Sequence, residues 1–278
     1  MSDSKVWFIT GCSSGFGRSL VKEVLKNGYS VVATARDIGE LADLESEYGE
    51  KIRVVKLDVT KNEQITEAIN SAVDSFGRID VLVNNAGYGL VGALEEYSDD
   101  EMHKNFDTNF WAALNIIRKV LPVMRSQRSG HIINISAGAA IMNETGFSIY
   151  AASKAALDLA SEALCWELKP LGIFVTNVVP GPFRTDFITR SLNKAKNDID
   201  DYDQTVGKFV EFLEKIDGKQ PGDPDKAAEA IINITKLEKP PLYLYLGEYA
   251  YKSANRKIKT MKKYLDDCEE IGLHTDFD

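Results

Sequence analysis

Short apolar runs alternate with longer stretches in which apolar residues recur every three or four positions, and the alternation continues through most of the chain. Short continuous apolar runs suit strands covered on both faces, and the stretches between them suit helices that do the covering. The pattern predicts strands at Lys5–Thr10, Ser30–Ala35, Ile52–Leu57, Ile79–Asn84, His131–Ser136, Phe174–Val179 and Leu242–Gly247. Helices are predicted at Arg18–Asn27 with Gly28 as its stop, Asn62–Phe76, about Asp99 to Arg125, Tyr150–Leu168 and Lys226–Ile234. Strands separated by helices predict parallel pairing, and the expected fold is α/β: one domain over residues 1–278 with a doubly wound parallel sheet.

The stretch Asp186–Pro224 breaks this rhythm, being charged and punctuated by Gly218, Pro221, Gly222 and Pro224. It reads as a mobile helical lid over a substrate, with a surface insertion of no role as the alternative. Residues 249–278 read as a C-terminal helical extension, charged over Tyr249–Ile271 and too small for a domain of its own.

Composition narrows the choice of partners. A chain of 278 residues with 44% hydrophobic residues can bury a full core. Its net charge of -9 argues against nucleic acid or an anionic membrane as a partner, and no segment reaches the length of a membrane span. Cys12, Cys165 and Cys268 are odd in number and widely spaced, which points to free thiols in a reducing, cytoplasmic setting. Met1–Lys5 is too short before the first strand to be a signal peptide. His103, His131 and His274 lack metal-ligand spacing, so no metal is expected, and Gly-x-Ser-x-Gly is absent.

The chemistry lies in two motifs. In Thr10-Gly11-Cys12-Ser13-Ser14-Gly15-Phe16-Gly17 the glycines follow a strand and open a helix, where a pyrophosphate meets the positive end of the helix dipole. Gly11 suits the tight turn, Gly15 the close approach and Gly17 the packing of helix on strand. The second strand ends in Ala35-Arg36, where a carboxylate would select NAD. A guanidinium there can pair with a 2'-phosphate, so NADP(H) is preferred over NAD(H), although Asp37 adjoins Arg36 and Ser14 stands where a second basic residue could help. Downstream, Tyr150 and Lys154 are one helical turn apart, so a phenol and an ammonium share a face. The ammonium and an oxidised nicotinamide would bring the phenol toward the working pH as an acid or base.

With Asp58-Val59 after the third strand, Asn84-Asn85-Ala86-Gly87 after the fourth and Pro180-Gly181 after the sixth, these blocks resemble the short-chain dehydrogenase/reductase family. The resemblance covers nearly all of Lys5 to Gly247 and implies a Rossmann-like fold. It implies that Asp58 and Val59 contact the adenine, that Asn85, Ala86 and Gly87 border the ribose, and that Val179 to Thr185, including Pro180, Gly181 and Phe183, hold the carboxamide. It further implies that Lys154 holds the nicotinamide ribose and that Asn109 carries a water that relays the proton. The ending Pro240-Pro241-Leu-Tyr-Leu-Tyr-Leu246 resembles steroid- or retinoid-dehydrogenase-like members, which points to a bulky apolar substrate.

One family position is not matched. The family's carbonyl-orienting serine stands thirteen residues before the tyrosine, and here that position is Ala137. Ser136 precedes it, but neighbours in a strand point to opposite faces. Three readings stand: a bulge or shift that returns Ser136 to the site, a natural enzyme without the serine, and an engineered serine-to-alanine variant. Thr145 and Ser148 are further candidates for the hydroxyl. The expected activity is hydride transfer between NADP(H) and a carbonyl or secondary alcohol, by a homodimer or homotetramer. The competing class is a nucleotide-sensing protein with little turnover.

Overall fold

The computed structural model describes residues 4–277, so the leader reading of Met1–Lys5 lies outside them at Met1–Asp3. Seven parallel strands form the central sheet: β1 Val6–Ile9, β2 Ser30–Ala35, β3 Ile52–Lys56, β4 Val81–Asn84, β6 Gly130–Ile135, β7 Ile173–Pro180 and β9 Tyr243–Leu246. Their order is β3-β2-β1-β4-β6-β7-β9. The order turns back between β1 and β4, which makes a crevice at the carboxyl ends of the strands, where ligands bind in open sheets of this kind.

Alternate residues of each strand feed two cores. Trp7 and Ile9 face one side with Val31, Ala33 and Val83, under α1 Gly15–Lys26 and α10 Pro224–Ile234. Phe8 faces the other with Val32, Leu82 and Ile132, under α3 Asn62–Phe76 and α5 Ala112–Gln127. Burial on both faces is why these strands read as continuous apolar runs. A short helix, α2 Ala42–Tyr48, lies between β2 and β3, where no element was expected.

Two expectations need correction. The helix expected over Asp99 to Arg125 is α4 Asp99–Phe106 and α5, joined by a π-helical turn at Asp107–Trp111. The segment Asp186–Pro224 is only partly helical. It holds α8 Phe187–Arg190 and α9 Lys208–Ile216, but between them β8 Leu192–Lys194 pairs in parallel with β5 Gly89–Val91 as a separate two-stranded sheet. The remaining elements are α6 Gly138–Ile141, α7 Ser148–Leu168 and α11 Glu248–Gly272.

Candidate active site

The glycine turn sits at the mouth of the crevice, between β1 and α1. Gly11 has φ +69°, and a Cβ there would come within 2.9 Å of the Ala86 backbone. A Cβ on Gly17 would lie 2.2 Å from the Gly11 carbonyl oxygen, so the turn folds back onto its own helix and admits nothing larger. Asn85 holds this arrangement: its side-chain amide donates to the carbonyls of Thr10 and Gly11, both at 2.8 Å. The Thr10 hydroxyl in turn accepts the N–H groups of Asn85 and Ala86 at 3.0 Å each. Ser14, at the N-cap of α1, makes no side-chain bond to the first turn, so that turn presents backbone donors outward beside Ser13, Gly15 and Phe16. These residues fit a dinucleotide pyrophosphate.

Around this turn stand the other residues expected at a cofactor. Arg36 is exposed at the end of β2, and the Asp37 carboxylate accepts the Gly39 N–H at 2.9 Å. Asp58 is half-buried and Val59 is buried. Burial resists ionisation of Asp58, but bonds from the Thr60 N–H and hydroxyl, helped by the charges of Lys61 and Arg36, hold its carboxyl below the usual range. Phe183 meets Phe16 edge-on at 5.0 Å, and Thr185 lies beside Gly15, where a Cβ would be 3.5 Å from it. Pro180 ends β7, and the Gly181 N–H is bonded to the Leu246 carbonyl at 3.0 Å.

Tyr150, Lys154 and Asp158 occupy successive turns of α7, all buried. Burial raises the Tyr150 pKa, so its phenol is protonated at neutral pH. Lys154 donates to the Ile135 carbonyl at 2.8 Å. Burial pushes its ammonium down to about 8, with the Asp158 carboxyl pulling the other way. Gly87 leaves the space that this pair needs: a Cβ there would lie 3.1 Å from Lys154 Nζ and 2.9 Å from Asn109 Oδ1.

Asn109 is placed by the π turn, an insertion that rotates one residue out of the helical repeat. Its oxygen accepts the Tyr88 N–H at 3.0 Å, and its amide nitrogen, with two protons to donate, lies 3.0 Å from the Tyr88 carbonyl, 3.1 Å from Ser153 Oγ and 3.2 Å from Asn105 Oδ1. Asn109 therefore ties α4, α7 and the loop after β4 together beside Lys154.

Ser136 is corrected as a candidate for orienting the carbonyl. No bulge returns it to the site; its hydroxyl donates to Asp158 Oδ2 at 2.8 Å and is buried there. Ala137 follows it in extended backbone at the N-cap of α6, with a methyl where the family carries a hydroxyl. Ser148 opens α7 and its oxygen is buried. Thr145 lies in the loop before it. Sequence reasoning missed Asn105, Ser153 and Asp158, whose only signal was spacing by helical turns from Asn109, Tyr150 and Lys154.

An aromatic wall faces Tyr150. Phe147 lies 5.3 Å from its ring and Phe187 6.0 Å, while Phe209 stacks edge-on against Phe147 at 5.0 Å. Phe187 and Phe209 come from the segment after β7, which an ion pair between Arg190 and Glu40 also ties to the loop after β2.

The model of the short chain dehydrogenase family matches residues 5–197. The chain belongs to this family. Oxidoreductase BOA17 of Botryotinia fuckeliana is 37% identical over 97% of this chain and 98% of its own length. Human retinol dehydrogenase 8 is 35% identical over 84% of this chain and 78% of its own. A short-chain dehydrogenase from Streptomyces avermitilis superimposes with a TM-score of 0.93 at 37% identity, covering 99% of this chain and all of that one. The protein is thus an NAD(P)-dependent short-chain dehydrogenase/reductase of the steroid- and retinol-dehydrogenase-like kind.

Proposed function

We propose that this enzyme interconverts a carbonyl and a secondary alcohol on a bulky apolar substrate, and that it prefers NADPH to NADH. The observation that carries the reading is the buried Tyr150–Lys154 pair behind the Phe147, Phe187 and Phe209 wall. The nicotinamide, when bound, supplies or accepts the hydride. Tyr150, Lys154, Gly87 and the residues from Pro180 to Thr185 would border it, the glycine turn would hold its pyrophosphate, and Arg36 its 2'-phosphate.

In reduction, the protonated Tyr150 phenol donates its proton to the carbonyl oxygen as negative charge develops there. The Lys154 ammonium then stabilises the phenolate, which a buried site without that charge would oppose. In oxidation the same phenolate takes the alcohol proton. With a methyl at Ala137, the substrate oxygen is oriented by Tyr150 and by the shape of the aromatic wall. We assign the segment Asp186–Pro224 as a substrate lid, because Phe187 and Phe209 bring its apolar side chains to Tyr150. Exposed Trp111, Leu159 and Trp166 support assembly as a homodimer or homotetramer, and three free cysteines support a reducing, cytoplasmic setting.

Oxidation of NADPH and of NADH, each followed against ketones and aldehydes of graded size, tests this reading. Turnover that rises with apolar bulk and favours NADPH is expected. Tight NADPH binding without turnover of any member would favour a nucleotide-sensing role, for which Ala137 speaks.

A further inference from the structure

The sheet face under α7 carries a polar row in an apolar core. Asn84, Asn134, Asn177 and Tyr243 stand in register on the neighbouring strands β4, β6, β7 and β9, beside Leu82, Ile132 and Val175. The three asparagines are buried, and the row meets only part of their hydrogen bonding. The Asn84 amide donates to Asn134 Oδ1 at 2.8 Å, and the Asn177 amide lies 3.3 Å from the Asp158 carbonyl. The side-chain oxygens of Asn84 and Asn177 have no partner among the described residues, and neither has Asp158 Oδ1. Buried acceptors of this kind are met by internal water or by a mobile donor, so the row marks a polar path through the core.

On α7 the ionisable residues follow the same path. Tyr150, Lys154, Asp158 and Glu162 are each four residues apart, so they form a ladder along one face with about 5–6 Å between successive Cβ atoms. Lys154 gives one of its three protons to the Ile135 carbonyl at 2.8 Å. Asp158 holds the Ser136 hydroxyl through one oxygen and leaves the other open. Glu162 is half-buried and accepts the Tyr243 hydroxyl at 2.8 Å, at the strand that ends the sheet. The first three rungs are buried and the fourth reaches the edge, which gives the ladder an inner and an outer end.

We propose that Asp158 and Glu162 form a proton route that reloads Lys154, and through it Tyr150, from solvent at the β9 edge. The route rests on the reading of Tyr150 as the group that moves the substrate proton. In reduction the carbonyl oxygen takes the Tyr150 proton, and the phenolate is reprotonated from the Lys154 ammonium. The Lys154 amine then takes the proton of the Asp158 carboxyl, and the Asp158 carboxylate takes one that enters past Glu162 through bridging water. Every step breaks one O–H or N–H bond and forms another, and oxidation runs the sequence backwards. Burial pushes Asp158 up to about 7 and Lys154 down to about 8, so a proton passes between them at little cost. Asp158 is faced by Lys154 and Glu162 on α7, Ser136 after β6, Asn177 on β7, and Tyr243 and Tyr245 on β9. Of these, Lys154 favours its carboxylate and Glu162 its acid. The route is separate from the water that the family resemblance places at Asn109, whose side chain lies with Tyr88, Asn105 and Ser153.

Two measurements on the full-length chain test the route. The first turnover of NADPH oxidation on a ketone uses the proton already on Tyr150, and later turnovers need it replaced. Glu162→Gln should lower the ratio of steady-state to first-turnover rate by about tenfold. Imidazole added to the buffer should restore it, since a soluble acid can replace a lost relay but not a lost packing contact. The second measurement is the infrared spectrum of the cofactor-free chain. It should show a carboxylic acid band that is lost as pH rises through about 7, absent from Asp158→Asn and lost at lower pH in Glu162→Gln. An unchanged ratio in Glu162→Gln, a fall that imidazole does not restore, or the lack of such a band would overturn the route. Tyr150→Phe run alongside separates the two claims. Full turnover in that variant overturns the Tyr150 reading and the route with it, whereas its loss beside an unchanged Glu162→Gln ratio overturns the route alone.

Discussion

The Ser136 hydroxyl donates a 2.8 Å hydrogen bond to Asp158 Oδ2, two helical turns beyond the Tyr150 phenol on the same helix. This bond settles where the serine points, and it gives Asp158 its one side-chain hydrogen-bond partner among the described residues. The other carboxyl oxygen is buried without one. Burial pushes the Asp158 carboxyl up to about 7, against the bond from Ser136 and the charge of Lys154, with Glu162 adding to the rise. A group with such a value exchanges charge near neutral pH beside Lys154.

The first prediction concerns the serine gap. Ala137→Ser places a hydroxyl at the family's carbonyl-orienting position and should raise kcat by about tenfold or more, since a donor aimed at a developing oxyanion is worth a few kcal/mol. Ser136→Ala should leave kcat within a few-fold and lower Tm through the lost Asp158 bond, by about 1 kcal/mol of stability or somewhat more. Steady-state kinetics of the two variants under saturating NADPH check this. Loss of turnover in Ser136→Ala with no gain in Ala137→Ser would return the catalytic role to Ser136.

Asp158→Asn should act through pH. The carboxyl rises from an ordinary value of 3.8 to about 7 on folding, so the stability linked to its proton is full below about pH 4 and is lost as pH rises through about 7. Asparagine stays neutral, and the fall in Tm between pH 5 and pH 8 should be smaller in the variant than in the parent. The Asp158 charge also supports the Lys154 ammonium, so the alkaline limb of the pH–rate profile should move to lower pH in Asp158→Asn. An unmoved limb would mean that Asp158 is structural only.

Arg36→Ala should separate the two cofactors. Loss of a charge-assisted pair with the 2'-phosphate is worth roughly 1.5–3 kcal/mol, or about ten- to a hundredfold in Kd. Titration by fluorescence should show that weakening for NADPH and little change for NADH. Equal loss for both would remove Arg36 as the selector.

Most of the sheet was legible because its strands are buried on both faces and so appear as apolar runs. Ser30–Ala35 and Asn62–Phe76 agree to the residue with β2 and α3. The glycine turn and the Tyr150–Lys154 pair were legible because each is local, a loop and one helical turn. What was hidden is non-local. The three-residue strands Gly89–Val91 and Leu192–Lys194 are too short to show alternation, and they pair across about a third of the chain. The π turn at Asp107–Trp111 adds one residue to a helical repeat without breaking the apolar pattern. Asp158 reads as a solvated helix charge until β6 brings Ser136 against it.

The proposed chemistry gives the proton transfer to Tyr150, and the Tyr150→Phe variant probes that role directly. The substitution keeps the ring against Phe147 and Phe187 and removes only the phenolic oxygen. The measurement is single-turnover NADPH oxidation on a ketone that the parent reduces, with NADPH Kd determined on the same protein. The expected rate is lower by about a hundred- to ten-thousandfold with Kd unchanged. A rate within a few-fold of the parent, at unchanged Kd, would contradict it.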